Sequence, residues 1–220
     1  MKFPQIAPSI LSVDFYNPQS NLEPILNLVE VFHFDVMDYQ FVPNLTFGPG
    51  FIQAFRKHVP KKIFFDVHLM VKDADLMLDD FIKSGANQIS IHYESINHLH
   101  RSLSYIKSKK VKAGLAINPT TGIKNIEAAL PFCDHVLVMS VNPGFGGQEF
   151  IQESIQKVKD LMSWKKSHKH HFTIGMDGGV STSNIKECAK AGVDILVTGS
   201  SLFKGKIEKN WNDLQCNLKK

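Results

Sequence analysis

Eight short apolar runs, rich in β-branched residues, recur along the chain: Ile6–Leu11, Val31–Met37, Ile63–Met70, Gln88–Tyr93, Lys112–Ile117, His135–Val141, Phe172–Asp177 and Ile195–Gly199. Their centres lie roughly 23–36 residues apart, the length of one strand–helix unit. The intervening segments carry helical periodicity. Leu76, Leu78, Phe81 and Ile82 precede Gly85. Ile151, Ile155, Val158 and Met162 fall on one predicted face. Ile185, Cys188 and Ala189 precede Gly192. A glycine just past a helical pattern is a stop signal. Eight strands alternating with helices predict an α/β fold, a parallel sheet closed as a (β/α)8 TIM barrel. The runner-up is an open doubly wound sheet, which the eightfold count argues against. No linker or composition shift divides the chain, so residues 1–220 are expected to form one barrel domain.

Composition narrows the class. Of 220 residues, 43% are apolar and 21% charged, which excludes a fully disordered chain. No run of 18 or more apolar residues is present, so no membrane span is expected. Lys2 is followed by Pro4, Pro8 and Asp14 with no apolar stretch, which argues against a secretory signal. Cys133, Cys188 and Cys216 are far apart and odd in number, unlike a disulfide framework or a C-x-x-C metal site. A reducing cytoplasmic setting is expected. Asn44-Leu45-Thr46 matches a glycosylation acceptor but carries little weight without a signal. The charge sum, 25 − 21 = +4, suits an anionic small molecule. The biased stretch Lys165–His171 reads as a solvated helix end and loop, with adventitious metal or polyanion binding as the alternative. It has no interleaved aromatic residues for base stacking, so nucleic acid is not an expected partner.

The chemistry concentrates at strand ends. In Val31–Asp38, His33, Asp35 and Met37 share one face, and Phe32, Phe34 and Val36 the other. The apolar set suits the helix side, so His33 and Asp35 are expected to point inward. The next strand repeats the arrangement, with Asp66, His68 and Met70 alternating with Phe65, Val67 and Leu69. The seventh strand ends at Asp177. The C-terminal strand ends of such a barrel face one pocket. His33, Asp35, His68 and Asp177 can therefore converge as an N₂O₂ ligand set for a divalent metal: Zn or Fe(II) first, with Mn or Co as alternatives. A lone inward histidine is more often a satisfied core residue, but four such groups on three strands favour a site. Asp66 receives no role. Met37, Met70 and Met139 recur near strand ends, either as core filler or as a soft pocket wall.

Glycine supplies a second signal. Asn142-Pro143-Gly144-Phe145-Gly146-Gly147-Gln148, Gly178-Gly179 and Gly199-Ser200-Ser201 follow the last three strands. Glycine lets backbone N–H groups approach an anion, and loops after strands seven and eight are the usual phosphate grip of this barrel. Any one of these loops is equally well a tight turn; three beside a candidate metal site favour phosphate. No G-x-G-x-x-G motif or P-loop occurs, so a nucleotide cofactor is unsupported.

The motifs resemble those of the ribulose-phosphate 3-epimerase family. The resemblance runs from Ile6-Ala7-Pro8-Ser9-Ile10-Leu11 through His33-Phe34-Asp35-Val36-Met37-Asp38, Phe41-Val42-Pro43-Asn44-Leu45-Thr46 and Asp66-Val67-His68-Leu69-Met70. It continues in Met139–Gln148 and Asp177-Gly178-Gly179 and ends at Thr198-Gly199-Ser200-Ser201. It implies a (β/α)8 barrel of the ribulose-phosphate-binding type that interconverts D-ribulose 5-phosphate and D-xylulose 5-phosphate in the pentose phosphate pathway. It also implies a homo-oligomer. His33, Asp35, His68 and Asp177 would bind the metal, with Asp35 and Asp177 as paired acid and base. Ser9 and His68 would contact the sugar. Gly144, Phe145, Gly146, Gly147, Gly178, Gly179, Gly199 and Ser200 would line the substrate and its phosphate. Two departures stand out: Tyr39-Gln40 where the family commonly has Gly-His, and Gly175-Met176 where it often has Glu-Val. The alternatives are a 3-epimerase for a six-carbon phosphate such as D-allulose 6-phosphate, and a non-catalytic sugar-phosphate-binding barrel. A decarboxylase or aldol-type barrel is expected to show Asp-x-Lys-x-x-Asp, which is absent.

Overall fold

The computed structural model describes residues 4–219. Lys2, cited for the N-terminal reading, and Lys220 lie outside them. Eight strands alternate with helices: β1 (Gln5–Pro8), α1 (Pro18–Leu22), β2 (Val31–Met37), α2 (Pro49–His58), β3 (Phe64–Met70), α3 (Leu78–Lys83), β4 (Gln88–His92) and α4 (Leu99–Ser108). The order continues with β5 (Lys112–Ile117), α5 (Ile123–Ile126), β6 (His135–Met139), α6 (Ser154–Ser167), β7 (Thr173–Asp177), α7 (Ile185–Ala191), β8 (Ile195–Thr198), α8 (Ser200–Phe203) and α9 (Ile207–Lys219). All strand pairs are parallel, β2 through β8 in chain order with β1 beside β8. A parallel bridge from Ser9 to His33 joins β1 to β2 and closes the barrel. No helix among the described residues is long and apolar enough to cross a membrane.

Both faces of β2 are buried along its whole length, as a parallel strand under helices requires. Its helix-facing residues form an aromatic layer. Phe34 lies 4.7 Å from Phe65 of β3 and 5.6 Å from Phe55 of α2, and the Arg56 guanidinium sits 3.3 Å over Phe65. This layer fixes β2 against β3 in a register that pairs His33 with Asp66, Asp35 with His68 and Met37 with Met70. The inward faces of the two strands thus rise in matched steps toward one mouth.

Three helical expectations are corrected. The buried stripe of α6 runs through Ile155, Val158 and Leu161, not Met162, which is 38% exposed and flanks Gly192. One residue is a 100° step on a helix, so an error of one moves a side chain off the core face. Ile151 precedes α6 and donates its N–H to Ser140 at 2.8 Å. Leu76 belongs to a 3₁₀ turn, 81% exposed, and α3 begins only at Leu78. The stop at Gly192 holds: its φ of 112° is left-handed and ends α7. The Lys/His-rich stretch is a solvated helix end, where His168 stacks on Trp164 at 4.2 Å and Lys165 donates to the Phe172 carbonyl. The C-terminal segment forms α9, which packs on α7 and α8 with Trp211 and Leu214 buried.

Candidate metal centre and active site

At the C-terminal mouth, ligand atoms of His33, Asp35, His68 and Asp177 all lie within 4.8 Å of one another. His33 Nε2 is 3.2 Å from Asp35 Oδ1 and 3.8 Å from Asp177 Oδ2. His68 Nδ1 is 3.3 Å from Asp35 Oδ1 and 3.6 Å from Asp177 Oδ2. Ligands about 2.0–2.1 Å from a tetrahedral ion stand about 3.3–3.4 Å apart, so the donors already have nearly the spacing of a coordination shell. His33 Nε2 is buried and has no hydrogen-bond partner. A buried ring nitrogen without a partner is costly unless something binds it. Two imidazoles and two carboxylates fit a divalent transition ion.

Each donor is held from behind. Asp66 Oδ2 lies 2.8 Å from His33 Nδ1 and accepts its proton, leaving Nε2 for the site. Gln88 Nε2 donates to Asp66 Oδ1 at 2.8 Å. Ser9 Oγ donates to Asp35 Oδ2 at 2.5 Å, leaving Oδ1 toward the histidines. The Ser140 hydroxyl donates to the carbonyls of Asp177 and Gly178, which fixes the end of β7. Thr46 accepts from Met37 N–H and donates to the Asp35 carbonyl, doing the same for β2.

Charge follows this wiring. Burial works against a protonated His33, but Asp35 and Asp66 outweigh it and hold its pKa well above the ordinary 6.5. Burial would raise Asp35, but His33 and His68 hold it well below the usual carboxylate range. His92 behaves oppositely: burial pushes it down to about 4 despite a hydrogen bond to Glu94.

Above the cluster opens a cavity of about 420 Å³. Asp35 and Asp177 reach it from below; His33 and His68 are fully buried beneath. Met37, Met70 and Met139 form one wall, with Ser9 beside them. The loops add Gly144, Phe145, Gly146 and Gly147 after β6, Gly178 and Gly179 after β7, and Gly199 and Ser200 after β8. Phe145 is half exposed at the rim. At Gly178 φ is 117°, and a Cβ would stand 2.4 Å from Val141 Cγ2, so only glycine fits. Asn44 Nδ2 donates to the Gly144 carbonyl and ties the β2 loop to the β6 loop. That use of the Asn44 amide explains the motif without glycosylation.

The sequence profile of the Ribulose-phosphate 3 epimerase family matches residues 5–203. The chain belongs to the ribulose-phosphate 3-epimerase family. A relative named ribulose-phosphate 3-epimerase from Aquifex aeolicus is 41% identical over 202 residues, covering 91% of this chain and 90% of the relative. One of the same name from Rhodobacter capsulatus is 44% identical, covering 91% and 86%. The crystal structure of 3-keto-L-gulonate-6-phosphate decarboxylase from Vibrio cholerae superposes with a TM-score of 0.76 at 11% identity, covering 99% of this chain and 98% of that one. That likeness is of fold alone.

Several residues of this epimerase-family site escape a reading of the sequence. Asp66 shares the inward parity of His68 yet shows its purpose only through its register with His33. His92 and Glu94 stand behind His68, with His92 Nε2 2.8 Å from His68 Nε2 and His92 Nδ1 3.1 Å from Glu94 Oε2. The signal was the inward parity of Gln88, Ser90 and His92. Lys204, at the end of α8, also lines the cavity and brings a cation to it. The Gly175 departure makes room: a Cβ there would stand 2.7 Å from the buried His135 ring.

Proposed function

We propose that this isomerase interconverts D-ribulose 5-phosphate and D-xylulose 5-phosphate by moving a proton at C3. The observation that carries the reading is the four-donor cluster of His33, Asp35, His68 and Asp177 on the floor of a cavity lined above by glycine-rich loops. Inverting a carbon beside a carbonyl requires removal of a proton from one face and delivery to the other. Asp35 comes from β2 and Asp177 from β7, and both reach the cavity, so each can serve one face of the sugar. A positioned acid or base typically contributes about 10²–10⁴-fold. Ser9 holds the outer oxygen of Asp35 and sits where a sugar hydroxyl would reach it; His68 lies below the same edge.

His33, Asp35, His68 and Asp177 would hold one divalent ion, Zn or Fe(II) ahead of Mn or Co. Such an ion supplies positive charge beside the sugar oxygens and stabilises the negative charge that develops as the proton leaves. The backbone N–H groups of Gly146, Gly147, Gly179, Gly199 and Ser200 would receive the phosphate and hold the reacting carbon in register. The reading also carries one barrel domain over the whole chain, a cytoplasmic role in the pentose phosphate pathway and a homo-oligomeric state.

The test is purification without added metal, elemental analysis and a coupled assay for xylulose 5-phosphate, with allulose 6-phosphate run beside it. Activity on the pentose that is lost to a chelator and restored by one divalent ion is the expected result. Turnover that survives complete metal removal sinks the metal reading. Faster turnover of the hexose sinks the substrate assignment.

A further inference from the structure

We infer that His92 and Glu94 are positioning residues that set which nitrogen of His68 offers a lone pair to the metal pocket. The inference rests on the proposed metal site and deepens it.

Two ring nitrogens facing each other at 2.8 Å, His68 Nε2 and His92 Nε2, need one proton between them. The direction of that bond is set one step further out. Glu94 Oε2 lies 3.1 Å from His92 Nδ1, and an ionised carboxylate only accepts, so His92 Nδ1 carries the proton. The other nitrogen of a neutral His92 is then an acceptor. His68 Nε2 must donate to it, so when His68 is neutral, as metal binding requires, Nδ1 is left as the lone pair. That is the nitrogen 3.3 Å from Asp35 Oδ1 and 3.6 Å from Asp177 Oδ2.

Glu94 is itself fixed. Its Oε1 accepts from Asn118 N–H at 2.9 Å and from the Thr121 hydroxyl, both in the loop after β5. The Phe41 ring packs on His92 at 4.7 Å. The relay therefore runs from β3 through the end of β4 to the β5 loop. His33 needs no such relay, because Asp66 contacts it directly and it presents Nε2 instead. The two histidines offer opposite nitrogens, and each is oriented by a carboxylate, at one remove for His33 and at two for His68.

Glu94→Gln tests the direction of the relay. Its retained oxygen still accepts from Asn118 and Thr121, while its new amide donates toward His92 Nδ1. His92 must then donate from Nε2, His68 Nε2 must accept, and His68 Nδ1 gains the proton that blocks the pocket. Loss of an outer partner of a metal-binding histidine typically costs about 10–100-fold in affinity. Zinc affinity, measured on the full chain by competition with a chromogenic chelator, is expected to fall by that factor. Nitrogen-15 spectra of metal-free protein at alkaline pH are expected to show the His68 proton on Nε2 in the parent and on Nδ1 in the variant. His92→Phe, which keeps the contact with Phe41 but has no acceptor, is expected to lose a similar factor. Combining it with Glu94→Gln adds no further loss, because Glu94 acts only through His92. Unchanged zinc affinity in Glu94→Gln, losses that multiply in the double variant, or a His68 proton that stays on Nε2 would each overturn the relay. A parent chain that binds no divalent ion overturns the metal reading instead, and the metal-free spectra still decide the relay.

Discussion

The cavity has two kinds of wall, one at the strand ends and one in the loops beyond them. Around the strand ends the pocket is made of side chains: Asp35 of β2 and Asp177 of β7 above the buried imidazoles of His33 and His68, with Met37, Met70 and Met139 beside them. In the loops that follow β6, β7 and β8 backbone dominates, and six glycines keep it reachable. A side-chain wall can move protons and hold a cation. A backbone wall can only offer N–H groups, which suits an unreactive anchor such as a phosphate. Chemistry and anchoring are therefore separable, and substitutions on the two sides should fail in different ways.

The largest effect belongs to the side-chain wall. Asp177→Asn is expected to lower kcat by about 10²–10⁴-fold with little change in fold. Turnover in the coupled assay, together with exchange of the C3 proton with solvent deuterium, measures it. Retention of both rates would remove Asp177 from the proton pair. The backbone wall should respond in KM. At Gly179 φ is 64°, and a Cβ would stand 2.9 Å from Phe150 N and 3.0 Å from the Gln148 carbonyl oxygen, neither of which yields easily. Gly179→Ala displaces the loop, and one lost hydrogen bond to a charged group is worth about 1.5–3 kcal/mol. KM is expected to rise roughly ten- to a hundredfold, with metal content unchanged by elemental analysis. A loss of metal with unchanged KM would break the division between the walls.

Legibility in the sequence follows the same division. The ligands were visible because β2 and β3 interrupt an apolar alternation with polar residues at period two, a pattern with few structural uses. The glycine wall was visible because three such loops follow consecutive strands. Their supports were not. Asp66 means nothing until register places it against His33, and His92 reaches His68 only because β4 lies beside β3. Register between parallel strands is set by packing across helices, such as the Phe34–Phe65–Phe55 layer, and leaves no local mark. The same limit put Met162 on the α6 core face in place of Leu161.

The side-chain wall also predicts a pH response that the backbone wall lacks. Metal binding needs a neutral His33, yet Asp35 and Asp66 raise its pKa. His68 is raised as well, and each histidine that must shed a proton makes apparent metal affinity climb by up to about tenfold per pH unit until that proton is gone. In metal-free protein the sign reverses. A raised His33 pKa contributes stability that is fully present below 6.5 and is lost as pH rises through the folded value. The lowered Asp35 contributes stability present above 3.8 and lost as pH falls further. Chelator competition and thermal melts across pH measure both trends. A metal affinity flat from pH 6 to 8 would break the link between a raised His33 pKa and metal ligation.

The smallest effect tests why glycine stands on one wall and not the other. Tyr39, in the loop after β2, has a φ of 62° without being glycine. The position is pinned: Tyr39 N–H donates to the Asn44 carbonyl, and Asp38 accepts from the N–H groups of Gln40, Phe41 and Lys72. A left-handed non-glycine residue costs about 1–2 kcal/mol. Tyr39→Gly removes that strain, but the freer unfolded chain gives back about 0.4–1 kcal/mol. The ring is 70% exposed and does not line the cavity, so little packing is lost and KM should not move. The net gain is about 1 kcal/mol or less, a rise in Tm of about 2–4 °C at most for a chain of this size. A fall in Tm would mean that the ring contributes more than its exposure suggests. A rise with unchanged KM would show that this loop, unlike those after β6 to β8, serves as a strut whose backbone no ligand has to reach.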